Sequence, residues 1–187
     1  MLGAQDKLVN AVVATGTPTV VFLINGRPLS INAIQASVST ILEGRYLGEQ
    51  GGVATAEVLF GDVNPGGKLP ITFPRSVGHL PAYYNHKPSR NRSYLFADSS
   101  PLFRFVYGLS YTSFRYDDLN VAPNPIRAGA SATVSVTVTN TGQREGDEVV
   151  QMYIHQRVAS VTRPVLELRG FKRITLKPSE RRTSTFL

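Results

Sequence analysis

Residues 132–140 read ATVSVTVTN, with Ala132, Val134, Val136 and Val138 on one face and Thr133, Ser135, Thr137 and Thr139 on the other. Strict period-two alternation predicts a strand buried on one side only. Working outward toward the C-terminus, Asn140-Thr141-Gly142 reads as a turn. Val150, Met152 and Ile154 then repeat the inward face opposite Val149, Gln151 and Tyr153. Leu166–Leu176 supplies a further strand with Gly170 as a bulge or bend, Lys177-Pro178-Ser179-Glu180 a further turn, and Arg181–Leu187 a last strand. Strands at this spacing predict an immunoglobulin-like β-sandwich. Such a sandwich takes about 100 residues and seven strands, whereas 72 residues follow Arg115. The sandwich is therefore expected to be cut at its C-terminal side, to carry an unpaired edge, and to be marginally stable alone.

Toward the N-terminus the pattern changes. Leu8, Val9, Val12 and Val13 recur at helical spacing and Gly16 follows as a stop signal. Thr19–Ile24, TVVFLI, has no polar alternation and reads as a parallel strand covered on both faces. Val38–Leu42 is a second apolar stretch, the loop Gly48-Glu49-Gln50-Gly51-Gly52 follows, and Val53–Phe60 is helical up to Gly61. Helix and buried strand in alternation predict α/β architecture. A turn at Asn64-Pro65-Gly66-Gly67 leads to an expected strand, Lys68–Phe73. The organisation is thus α/β over 1–80, an aromatic, Pro- and Gly-rich connector over 81–115, and all-β over 116–187.

Composition bounds the chemistry. The 187 residues are 42% hydrophobic and 18% charged, those of a soluble globular protein, and no apolar run approaches the roughly 20 residues of a membrane span. The N-terminus shows no secretory signal. With no Cys, disulfides, thiol catalysis and Cys-ligated zinc are excluded, and with no Trp any sugar stacking falls to Tyr and Phe. The net charge of +7 is spread out, with Arg90 and Arg92, Lys172 and Arg173, and Arg181 and Arg182 as its only tight groups. No nucleic-acid-binding pattern accompanies it. His79, His86 and His155 have no metal-ligand spacing and support no Ser-His-Asp arrangement around Gly108-Leu109-Ser110. Gly61–Lys68, GDVNPGGK, fails as a phosphate loop because five residues intervene and Leu69-Pro70 follow. No metal or cofactor is expected. In the connector, Tyr83, Tyr84, Asn85 and His86 are the candidate sugar-contacting residues; the plainer reading is an ordered crossing with its rings packed.

Four stretches in this order carry a resemblance: VVFLINGRPLSI at 20–31, ILEGRYLGEQGGVATAEVLFGDVNPGGKLPITFPRSVGHLPAYYNHKP at 41–88, YGLSYTSF at 107–114, and VTVTNTGQREGDEVVQMYIH with SVTRPVLELRGFKRITLKP beyond. The chain resembles the C-terminal part of glycoside hydrolase family 3, the bacterial β-glucosidase and β-xylosidase branch with a fibronectin type III-like tail. The resemblance implies a retaining reaction with a carboxylate nucleophile and a carboxyl acid/base. It places the nucleophile in an N-terminal barrel and the acid/base in a loop upstream of Gly3, so the chain is expected to hold neither and to act as scaffold, with the barrel as its missing partner and an oligosaccharide reached through the parent. A periplasmic or secreted parent fits the family. Glu43, Glu49 and Glu57 are the remaining acids, Glu49 being explained by the helix dipole. Three positions depart from the family pattern: Arg45 for an aromatic, Arg104 for Pro, and Val106 for Gly, where a positive φ would make Val costly. The competing readings are a standalone carbohydrate-binding or protein-interaction module and a basic polyanion-binding domain.

Overall fold

The computed structural model describes residues 3–88 and 98–187. Arg90 and Arg92 lie outside the described residues. The chain divides into two compact units that alternate along the sequence: Met1–Phe60 with Leu69–Tyr107, and Gly61–Lys68 with Gly108–Leu187.

In the first unit, helix α1 spans Gln5–Val13, strand β1 Val20–Leu23, helix α2 Asn32–Gln35, strand β2 Thr40–Glu43 and helix α3 Gly51–Phe60. β1 and β2 pair in parallel, Val20 opposite Thr40 through Leu23 opposite Glu43. Leu23, Ile31, Ile34 and Phe73 form the buried core, with Val9, Val21, Ile41, Leu69 and Phe103 packed against it. The apolar period of α1 therefore reaches the core through Val9. The expected covering of both β1 faces is not met: Val20 is 46% and Ile24 66% exposed, while Leu23 is buried. The expected strand at Lys68–Phe73 is also corrected. The segment bends at Pro70 and Ile71 and, among the described residues, joins one isolated antiparallel bridge, Phe73 with Phe103. Leu69 and Phe73 nonetheless exchange backbone hydrogen bonds with residues 102–107. Val106 sits at φ +66°, as expected for a position that favours glycine, and Arg45 at φ +54°. Nothing in the structure accounts for Arg104.

The second unit is a sandwich of five strands: β3 Phe114–Ala122, β4 Thr133–Asn140, β5 Gly146–Ile154, β6 Glu167–Leu176 and β7 Arg181–Phe186. One sheet runs β3-β4-β7 and the other β5-β6, every pairing antiparallel. Val138 of β4, Phe186 of β7, Val150 of β5, and Ile174 and Leu176 of β6 fill the space between the sheets, with Val136 and Met152 at its margin. The alternating valines thus face inward as their period requires. Thr137 on the opposite face is buried too, sharing a hydroxyl contact of 3.3 Å with Thr183 on β7. The irregularity near Gly170 is a register shift between Met152 and Tyr153, leaving Arg169 as the extra residue. Asn140, fully buried, ties the sheets together: its Nδ2 donates to Arg144 O and Leu176 O at 2.7 and 2.9 Å, and its Oδ1 accepts from Thr112 Oγ1 and Gly142 N. Every polar atom of that amide is satisfied, which makes it a specific pin rather than a buried cost.

The segment Gly61–Lys68 straps onto this sandwich. Arg144 Nη1 donates to Gly61 O at 2.9 Å, and Asn64 Oδ1 accepts from Tyr111 N at 2.7 Å. A Cβ on Gly108 would stand 2.2 Å from Gly67 O, so only glycine allows the strap and the chain at 108 to approach so closely. At the strap's end, Lys68 Nζ lies 3.1 Å from Glu148 Oε2 and donates to Gly108 O at 3.3 Å. Glu148 also accepts from Tyr116 OH at 2.9 Å.

Candidate functional site

Ligands of open α/β sheets bind outside the carboxyl ends of the parallel strands. At those ends, β1 is followed by Asn25 and β2 finishes on Glu43, with Arg45 two residues on. The three side chains converge. Asn25 Nδ2 donates to Glu43 Oε2 at 3.2 Å, Asn25 Oδ1 accepts from Arg27 N and from Arg45 Nη1, and Arg45 Nε stands 3.2 Å from Glu43 Oε1. That last approach is an ion pair without hydrogen-bond alignment, so Glu43 Oε1 and Arg45 Nη2 are buried with no hydrogen-bond partner. The Arg45 guanidinium also lies 5.7 Å from the centre of the Phe73 ring, a cation–π distance. Gly26 and Tyr46 complete the turn.

Of the acids singled out in the sequence, Glu43 is thus half-buried and held by Arg45 and Asn25. Glu49, ahead of α3, and Glu57, within it, are exposed. The four connector candidates differ in their surroundings. Tyr83 is 58% exposed and Asn85 is exposed, whereas the Tyr84 ring stacks on Phe105 at 4.3 Å and 14°, and His86 Nδ1 stands 3.2 Å from Lys87 O. The Asn25, Glu43 and Arg45 cluster escaped the sequence reading as a group. The signal that could have found it was Arg45, already noted as unusual, two residues beyond a carboxylate.

A groove of about 1120 Å³ lies within the sandwich unit, lined by Tyr116, Leu119, Val134, Met152, Tyr153 and Ile154 among others. Burial, with the Glu148 carboxylate beside it, pushes the Tyr116 hydroxyl well above its usual pKa. Arg115, Arg169, Arg173, Arg181 and Arg182 each pair with a carboxylate, from Asp117, Glu167, Asp147, Asp118 and Glu180 respectively. Among the described residues no group of three or more His, Cys, Asp or Glu could hold a metal, and no helix is long and apolar enough to cross a membrane.

An α/β unit with a ligand-type strand end, followed by a fibronectin-like sandwich, is the class these features define. Residues 1–111 match the glycosyl hydrolase family 3 C-terminal domain, and residues 148–187 match a fibronectin type III-like domain. The chain belongs to glycosyl hydrolase family 3 through that C-terminal domain. It is 52% identical to a β-xylosidase of Formosa agariphila, the alignment covering 100% of this chain and 26% of that relative. It is 47% identical to a periplasmic β-glucosidase of Salmonella typhimurium, over 98% of this chain and 25% of that one. Among solved structures, a β-glucosidase of Erythrobacter marinus is similar with a TM-score of 0.96 at 48% identity, covering 100% of this chain and 25% of the other. A Listeria innocua β-glucosidase in complex with glucose is similar with a TM-score of 0.93 at 36% identity, over 98% and 27%. The chain therefore spans about a quarter of the length of the relatives it matches.

Proposed function

We propose that this chain is the non-catalytic, structural portion of a retaining β-glycosidase that removes terminal β-linked glucose or xylose from oligosaccharides or glycosides. The observation that carries the reading is α3. Its sequence GGVATAEVLF is apolar almost throughout, yet none of its residues is buried, and Val53 and Phe60 are 56% and 84% exposed. A helix apolar all round belongs inside a larger protein. The exposed Val20 and Ile24 of β1 point the same way. The partner is a catalytic barrel portion, for which the unmatched three-quarters of relatives such as the β-xylosidase leaves room, and the two carboxylates of a double displacement, about 5 Å apart in a retaining enzyme, come from outside this chain. Neither nucleic acid nor membrane is proposed as a partner, since no nucleic-acid-binding motif accompanies the basic residues.

The test is reconstitution. The chain alone, and the chain co-expressed with the remaining three-quarters of its 52%-identical relative, are assayed on aryl β-glucosides and β-xylosides. Turnover is expected only in the co-expressed sample. Turnover by the chain alone, lost on Glu49→Gln, would overturn the non-catalytic assignment; no association between the two portions would overturn the partner.

A further inference from the structure

The two sheets of the sandwich are unequal, three strands facing two, and the shortfall shows in how β4 is covered. Val134, Val136 and Val138 share one face of that strand. Val138 is fully buried in the core with Val150, Ile174 and Leu176, whereas Val134 and Val136 are half-buried and line the groove. On β3 the same loss of cover leaves Leu119 72% exposed. The groove's other wall is β5, through Met152 and Ile154, while β6 contributes Arg169 alone. Among the described residues β5 pairs with β6 and with no other strand, so its edge on the groove side keeps its backbone donors and acceptors unpaired. An apolar floor and an open strand edge therefore lie side by side.

We propose that this groove seats a further β-strand of the same polypeptide, added to the free edge of β5 with its apolar side chains down on Val134 and Val136. A strand meets both halves of the site: its backbone pairs with the N–H and C=O groups of β5, and its alternate side chains fill the space over β4. Gln151–His155 border the groove, so the contact takes about 17 Å of extended chain with apolar residues at every second position. A small apolar ligand would leave the edge of β5 unpaired. A second copy would bring another net charge of +7 against this one. Leu187, next after β7, itself lines the groove, so chain continuing from β7 reaches it without a long connection. A sandwich of about seven strands also has room for more than the five observed. The proposal rests on the chain being one portion of a longer enzyme, and it adds a partner for the sandwich that is separate from the catalytic portion.

The experiment compares the full chain with the same chain extended by about 30 residues of its own reading frame, which brings the sandwich to about 100 residues. Because the chain has no Cys, single cysteines report cover directly: Val134→Cys on the groove floor, Leu119→Cys at its rim, and Thr185→Cys on the outer face of β7 as control. Labelling by a maleimide should slow at least about tenfold at both groove positions in the extended form and stay unchanged at the control. The amides of Gln151–Ile154 should gain protection from hydrogen exchange in the same form. Leu119→Cys replaces an exposed side chain and keeps the test available if Val134→Cys weakens the fold. A stop codon directly after Leu187, unchanged labelling, or thiol protection without new amide protection would each overturn the proposal. So would an unextended chain that sediments as a dimer with the groove already protected, which gives the site to a second copy. The outcome is separable from the glycosidase reading: failed reconstitution with a protected groove removes the catalytic partner and leaves the strand, whereas reconstituted turnover with an open groove sinks the strand alone.

Discussion

Lys68→Met tests the strap on the sandwich. The Lys68 and Glu148 side chains are 16% and 12% exposed and 3.1 Å apart. Removing one partner of a buried pair costs about 3–5 kcal/mol, because the other charge stays behind desolvated. The residual exposure lets water reach the stranded carboxylate, and Tyr116 OH still donates to it, so the expectation is scaled down to about 2–3 kcal/mol. With a urea m-value of about 1–3 kcal/mol per M, the midpoint should fall by about 0.7–3 M. The methyl signals of Val138, Val150 and Leu176, all in the sandwich core, report this unit alone. The double variant Lys68→Met with Glu148→Leu should recover most of the loss, leaving about 1 kcal/mol for the Tyr116 hydroxyl deprived of its acceptor. A single-variant cost below about 0.5 kcal/mol, or a double variant whose cost is the sum of the two singles, would refute the reasoning.

Val106 and Tyr116 carry the other predictions. At φ +66° the usual order of Ala over Gly should invert, Val106→Gly being more stable than Val106→Ala by about 1 kcal/mol in thermal unfolding; Ala equal to or above Gly would remove the strain argument. The raised pKa of Tyr116 means the folded chain keeps a proton that the unfolded chain loses from about pH 10 upward, so this contribution is complete below pH 10 and is lost as pH rises beyond it. Tyr116→Phe should therefore flatten the alkaline fall in stability followed by urea midpoints between pH 9 and 11; an unchanged slope would mean that the hydroxyl is not held in its buried place beside Glu148.

What the sequence disclosed depended on whether the signal was local. The alternation in ATVSVTVTN identified β4 and its inward valines because period two is set by the strand itself. β3 had no such signature: Arg115, Asp117, Asp118 and Asn120 are poor strand formers, and the strand exists because β4 offers it a ladder, interrupted by a shift between Asp117 and Asn120. The reverse error befell Ile71-Thr72-Phe73, whose residue types suit a strand but which meet only one bridge. The Asn25, Glu43 and Arg45 cluster was half legible. Glu43 and the oddity of Arg45 were visible, but their meeting with Asn25 depends on a parallel register and a left-handed turn that no local pattern announces.

The strap changes what counts as a module in this chain. Because Gly61–Lys68 is counted with the sandwich while Leu69–Tyr107 returns to the α/β unit, the backbone passes between units at three places, and no single junction separates them. A chimera that grafts a foreign tail after Tyr107 would inherit a strap built for another surface. Its Asn64 would face a stranger's Tyr111 amide and its Lys68 a stranger's Glu148. Recombination among such enzymes should be tolerated where the strap travels with its sandwich, and the eight residues from Gly61 to Lys68 set that unit of inheritance.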